Sequence, residues 1–231
     1  MFELSPTEWT AIQLSLRVAA VATLVATPLG IGAAWLLARR DFWGKSVADA
    51  LIHLPLVLPP VVTGYLLLLT FGRRGLVGAW LADHLGIVFA FRWTGAALAC
   101  GIMSFPLLVR PIRLSIEAVD QRLEQAAGTL GAAPWRVFLT VTLPLALPGV
   151  LAGMVLGFAK AIGEFGATIT FVSNIPGETQ TISSAIYSLI QTPDGDTAAL
   201  RLVVISVVIA LAALIASEWF ARRATKRLHG N

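Results

Sequence analysis

The feature that most limits this chain is a series of apolar runs, each about as long as a bilayer is thick. Val18 to Ala38 carries no charged side chain, nor do Leu54 to Gly72, Trp93 to Val109 and Val141 to Ala159. About 20 apolar residues are needed for a helix to cross the hydrocarbon core. A further run from about Ala198 to Phe220 completes the set, with Trp219 as an interface anchor. Hydrophobic residues make up 57% of the 231 and charged residues only 13%, about half the charge of a soluble domain. The reading is an all-α polytopic membrane protein of about five transmembrane helices, one domain over residues 10–220 with a basic tail at 221–231.

Between the runs the chain is punctuated. Pro28, Gly30 and Gly32 interrupt the first, and Pro55, Pro59 and Pro60 the second; membrane helices tolerate these where neighbours satisfy the freed backbone. His53 reads as an interfacial residue. Gly72 to Trp93 reads as a loop with a short surface helix near Leu76–Leu85. Ile182–Ile190 is apolar but too short to span, so it reads as re-entrant or interfacial, between turns at 173–177 and 193–196. Met1 to Trp9 has no basic region, so no cleaved signal peptide is expected.

Charge sets the orientation. With five spans and the N-terminus outside, the cytoplasmic segments hold Arg39, Arg40, Lys45, Arg110, Arg113, Arg122, Arg136, Arg222, Arg223, Lys226 and Arg227. The external loops hold Arg73, Arg74, Arg92 and Arg201. Eleven against four places the C-terminus in the cytoplasm by the positive-inside rule. The net charge of +4 belongs to these loops and does not indicate nucleic-acid binding.

The cytoplasmic loop 113–143 carries the most specific pattern. Leu114 to Leu130 reads as a helix, Gly131 as its left-handed stop, and Pro134 as the first turn of another short helix. Pro144 and Pro148 mark the entry to the fourth span. Gln125-Ala126-Ala127, Gly131, Val141 and Leu143-Pro144 resemble in spacing the "EAA" loop of type-I ABC-importer permeases. Gln125 stands where that family usually has Glu, and Glu124 beside it lies about 100° around a helix. The resemblance implies a type-I importer transmembrane fold. It also implies a coupling role for Gln125, Ala126, Ala127, Gly131, Val141, Leu143 and Pro144 against a separate ATPase subunit.

A second resemblance concerns cargo. Gly163-Glu164-Phe165-Gly166-Ala167-Thr168-Ile169-Thr170-Phe171, with the continuation to Thr179, is similar to molybdate permeases, as are Arg136-Val137-Phe138 and Thr142-Leu143-Pro144-Leu145. It covers about Leu14 to Arg223. It implies a bacterial inner-membrane homodimer, two ATPase subunits and a periplasmic binding protein delivering molybdate, in many members tungstate too. Sulfate permeases are close relatives, so sulfate, thiosulfate or another oxyanion stays open.

The chain has no catalytic motif, metal spacing or Walker A sequence; Gly44-Lys45-Ser46 lacks the leading glycine a phosphate loop needs. No cofactor is expected in the chain itself, ATP being used by the partner. The single Cys100 excludes an internal disulfide. A lipid-modifying membrane enzyme would need clustered acid–base or metal residues. A self-sufficient secondary transporter would usually show internal repeats.

Two features remain inside the spans. Gly149, Gly153 and Gly157 share one helix face and allow close packing, either within the subunit or at a dimer seam. Lys160 and Glu164, four apart, form either a structural bridge near a kink at Gly163 and Gly166 or a device in which Lys160 attracts an oxyanion.

Overall fold

The structure, a computed structural model, describes the backbone of residues 4–229 and the side chains of residues 4–216. Trp219 and the basic side chains of the tail therefore lie outside the described side chains. Among the described residues every regular element is helical. In chain order the helices are α1 (Pro6–Arg39), α2 (Lys45–Val57), α3 (Pro60–Phe71), α4 (Leu76–Leu85), α5 (Trp93–Glu117), α6 (Gln121–Thr129), α7 (Pro134–Val137), α8 (Leu143–Ile162), α9 (Gly166–Val172), α10 (Ile182–Leu189) and α11 (Asp196–His229). A π-helical turn, Phe138–Thr142, joins α7 to α8.

Helix α1 starts well before the uncharged run. Ser5 and Glu8 form a capping box, with Pro6 in the first turn, so two otherwise unmet backbone donors are satisfied reciprocally. At 1.5 Å per residue its 34 residues extend about 51 Å, longer than the hydrocarbon core is thick. The arrangement of the spans is then legible from paired contacts. Arg17 lies over the Trp93 ring at 3.8 Å, Gly30 faces Leu108 and Val109, and Arg39 bonds the Val119 carbonyl at 2.9 Å. Helices α1 and α5 therefore run parallel. Helix α8 runs antiparallel to α5, with Gly149 at Pro111 and Ser115 and Gly153 at Leu108. The Cys100 thiol meets the Ala161 carbonyl at 3.5 Å. Two apolar clusters fill this three-helix core: one around Val18, Cys100, Met103, Phe171 and Val172, the other around Ala34, Leu108, Ile112 and Val150. The start of α11 is tied to the start of α1 by Arg201 and Glu8 at 2.9 Å.

Four stretches are long and apolar enough to cross a membrane: α1, α5, the joined run Pro134–Ile162, and Asp196–Ala216. Helices α2 and α3 together reach the same length and apolarity but are bent by 114° at the break between them, so they make a fifth span only as a broken pair. This corrects the expectation of one second span over Leu54–Gly72. Leu58 sits in extended backbone and Pro59 precedes Pro60; a residue before proline is pushed out of the helical region, and proline supplies no N–H. Helix α4 has the bounds expected of the surface helix.

Three further boundaries differ from expectation. The helix read over Leu114–Leu130 is broken: α5 passes Pro106 and Pro111 to Glu117, and α6 begins anew with the Asp120 carboxylate accepting from the Arg122 N–H at 2.9 Å. The second loop helix is not separate but opens the fourth span through the π turn. There the Leu143 N–H reaches the Phe138 carbonyl, and the widened turn moves carbonyls clear of the Pro144 ring that α geometry would press against them. The last helix continues past Phe220 to His229, because Ala, Arg, Lys and Leu favour helix and Gly230 is the first breaker.

Candidate functional site

The loop between α5 and α8 forms one surface. Helix α6 ends in a Schellman motif: the Gly131 N–H meets the Gly128 carbonyl at 3.0 Å and the Ala132 N–H meets the Ala127 carbonyl at 3.2 Å. Gly131 has φ +85°, and a Cβ there would meet nothing within 4 Å. Its glycine is thus needed for the left-handed backbone and not for internal space. Gln125 and Ala126 are exposed and Ala127 half-buried. Leu130 and Trp135 beside them are 89% and 61% exposed, an apolar patch on a polar loop of the kind that marks a docking surface. Pro144 is exposed, while Val141 and Leu143 are half-buried at the base of the fourth span.

Glu124 behaves differently from Gln125. It turns inward, where its Oε1 accepts from Arg39 Nε at 3.2 Å, Arg39 Nη2 at 3.1 Å and Thr142 Oγ1 at 2.6 Å. Glu124 and Gln125 thus face different ways: one residue around the helix changes an exposed side chain for an inward-turned one. This three-residue cluster was not read from the sequence. Arg39 is 85 residues and Thr142 18 residues from Glu124, and no motif spacing links them. Nearby, Trp35 packs edge-to-face on Phe138 at 6.0 Å.

Other side chains at this end form ion pairs. Arg113 reaches Asp49 at 3.0 Å and Glu117 at 2.8 Å, tying α2 to α5. Lys45 donates to Asp41 at 2.9 Å, and that hydrogen bond and charge hold this exposed carboxyl below its usual range. His53 Nδ1 lies 2.9 Å from the Asp49 carbonyl.

The glycine ladder packs inside the subunit. A Cβ at Gly149 would come within 2.6 Å of the Pro111 carbonyl, and one at Gly153 within 2.6 Å of the Leu108 carbonyl. At Gly157 the nearest atom is a Leu108 methyl at 3.6 Å, an ordinary contact. The ladder is therefore a seat for α5.

Lys160 and Glu164 do meet, Nζ to Oε2 at 2.7 Å, but not on one helix. Helix α8 stops at Ile162, and Glu164 lies in the break before α9. Its other oxygen, Oε1, accepts from the Ala167 N–H at 3.0 Å. The carboxylate is 1% exposed while the ammonium is 30% exposed. Beyond the break the chain makes an excursion: α9 packs on α3, and α10 turns back so that the Ile182 N–H reaches Ser15 Oγ at 2.7 Å and Ser183 Oγ reaches the Ile162 carbonyl at 3.3 Å. A cavity of about 620 Å³ between α1, α2 and α5 is lined by Val25, Leu51, Pro55, Trp93 and Phe105; it offers no counter-charge to an oxyanion.

Comparison with known proteins bears on this arrangement. A family model described as the binding-protein-dependent transport system inner membrane component matches residues 26–226. The chain is 60% identical over 224 residues to the molybdenum transport system permease protein ModB of Escherichia coli strain K12, covering 97% of this chain and 98% of that one. It is 38% identical over 181 residues to a probable sulfate transport system permease protein cysT of Chlorokybus atmophyticus, covering 78% and 63%. Among solved structures, an inward-facing form of the MetNI methionine ABC transporter superposes with TM-score 0.72 at 14% identity, covering 96% of this chain and 99% of that one; at that identity the likeness concerns the fold alone.

Proposed function

The chain belongs to the family of binding-protein-dependent transport system inner membrane components, and from that premise we propose that it is the permease subunit of an ATP-driven importer of molybdate. The likeness to molybdenum permeases over almost the whole chain is the observation that carries the cargo. Its transmembrane fold is that of type-I ABC importers, and it is a multi-pass protein of the inner membrane. The exposed face of Gln125, Ala126, Leu130 and Trp135 supports docking of an ATPase subunit on α6. The working assembly is two copies of this chain, two ATPase subunits and a periplasmic binding protein that presents the anion. The basic loop end faces the cytoplasm and the N-terminus faces outward, in line with the charge asymmetry. Lys160 and Glu164 act as a structural pair: the carboxylate spends both oxygens on protein donors, one of which is the first turn of α9.

The reading is tested by reconstituting the chain with its ATPase and oxyanion-binding protein in vesicles. ATP-dependent uptake of molybdate that persists in a tenfold excess of sulfate is the expected result. Uptake of sulfate with no uptake of molybdate would overturn the cargo, and no uptake of any oxyanion would overturn the transport role.

A further inference from the structure

We infer that Glu124 is a positioning residue that transmits the movement of α6 to two spans at once, through Arg39 at the end of α1 and Thr142 at the base of α8. The inference rests on the reading of α6 as the docking element. Helix α6 has nine residues and none of them is buried; it touches α7 and the π turn, and among the described residues Glu124 is its one side chain hydrogen-bonded to the membrane helices. Force placed on it by a docked partner has two routes into the spans. One is along the backbone, through Ala118–Asp120 before it and Gly131–Ala133 after it. The other is sideways, through the Glu124 carboxylate.

The sideways route is the stiffer one. Glu124 Oε1 takes three hydrogen bonds, two from the guanidinium of Arg39 and one from the hydroxyl of Thr142. Bonds to an ionised acceptor are short and strong compared with neutral ones. The partners are well enclosed: the Arg39 side chain is 8% exposed and Thr142 is 1% exposed, so water competes poorly for them. Arg39 Nη2 also bonds the Val119 carbonyl at 2.9 Å, which clamps the joint between α5 and α6 to the same arginine. On the other side, Thr142 is the last residue of the π turn. A π turn resets which face of the following helix points inward, and such turns recur at functional sites. Here it aims the hydroxyl at Glu124 while leaving Pro144 exposed. The clasp thus gathers the α5–α6 joint, the end of α1 and the base of α8 on one carboxylate oxygen. Tilting α6 moves α1 and α8 together, or breaks the clasp.

Thr142 gives the cleanest test because, at 1% exposure, it cannot touch a docked protein. The full transporter is purified with Thr142→Val, Thr142→Ser and the near-isosteric Glu124→Gln. ATPase co-purification, ATP hydrolysis and molybdate taken up per ATP are then measured in vesicles with the binding protein. With Thr142→Val, the expected result is unchanged co-purification and hydrolysis but an uptake per ATP reduced about tenfold; Thr142→Ser restores it to within about twofold. Glu124→Gln shows the same split, which covers the case in which the valine variant fails to accumulate. An unchanged uptake per ATP in both Thr142→Val and Glu124→Gln overturns the inference. So does a loss of co-purification in step with uptake, since the clasp would then merely shape the docking face. If the unaltered chain fails to hold an ATPase subunit, the docking reading falls first and the inference with it, a failure visible before any variant is made.

Discussion

Single residues on this chain separate into those that need glycine for its backbone and those that need it for its size. Gly131 is the first kind: its φ of +85° strains any other residue by about 1 kcal/mol, too little to unfold the protein. Gly131→Asp is therefore expected to reach the membrane normally but to lose most uptake, because the new side chain projects into the space where α6 meets its partner. Membrane level by immunoblot and uptake by vesicle assay check both halves; normal uptake would remove Gly131 from the coupling surface. Gly149 and Gly153 are the second kind. A methyl group at either would meet backbone carbonyls of α5 at 2.6 Å, and overpacking of that sort costs about 1–3 kcal/mol. Gly157→Ala meets only a leucine methyl and gains helix propensity of up to about 1 kcal/mol. Thermal unfolding in detergent should show Gly149→Ala and Gly153→Ala lowered, and Gly157→Ala equal to or above the unaltered protein. Equal loss at all three would mean that something other than α5 sits on the ladder.

At the scale of elements, the break between α8 and α9 is held by one carboxylate with two duties. Glu164 pairs with Lys160 and also accepts the Ala167 N–H. A simple exchange of the two charges would not restore the wild-type state, since lysine at 164 has no acceptor for that N–H. The informative pair is instead Glu164→Ala and Lys160→Gln. The first leaves a buried backbone donor unmet and is expected to destabilise the protein by about 1–3 kcal/mol. The second leaves the α9 contact intact, so uptake should stay within about twofold. A large loss of uptake in a stable Lys160→Gln protein would instead assign the ammonium to the anion's path. The α2–α3 bend is likewise held from outside: a Cβ on Gly64 would lie 2.9 Å from the Ala167 Cα, and one on Gly166 would lie 2.7 Å from the Pro60 Cβ. The bend docks on α9 by close approach, so the proline pair permits the angle and the packing fixes it.

For the molecule as a whole, orientation is the open variable that charge addresses. A reporter active only in the cytoplasm should give signal when fused after Asn231 and none when fused after Asp83; the reverse would invert the orientation of the chain in the membrane. The apolar spans, the position of α4 and the glycine stop at 131 were legible in the sequence, because each depends on local terms: the length of an apolar run or a turn residue. These act within a few residues of their source and leave a pattern in the string. The bend at Leu58–Pro60 was only half legible, since its prolines were visible but the α9 surface that sets its angle was not. The tertiary structure alone decided that the glycine ladder serves α5 and not a second copy. It alone turned Glu124 inward to Arg39 and Thr142 while Gln125 faces out, and gave Glu164 its second donor. Those outcomes depend on which distant backbone comes within 3 Å, and with hydrogen bonds fading over fractions of an ångström, only the packed helices determine that distance.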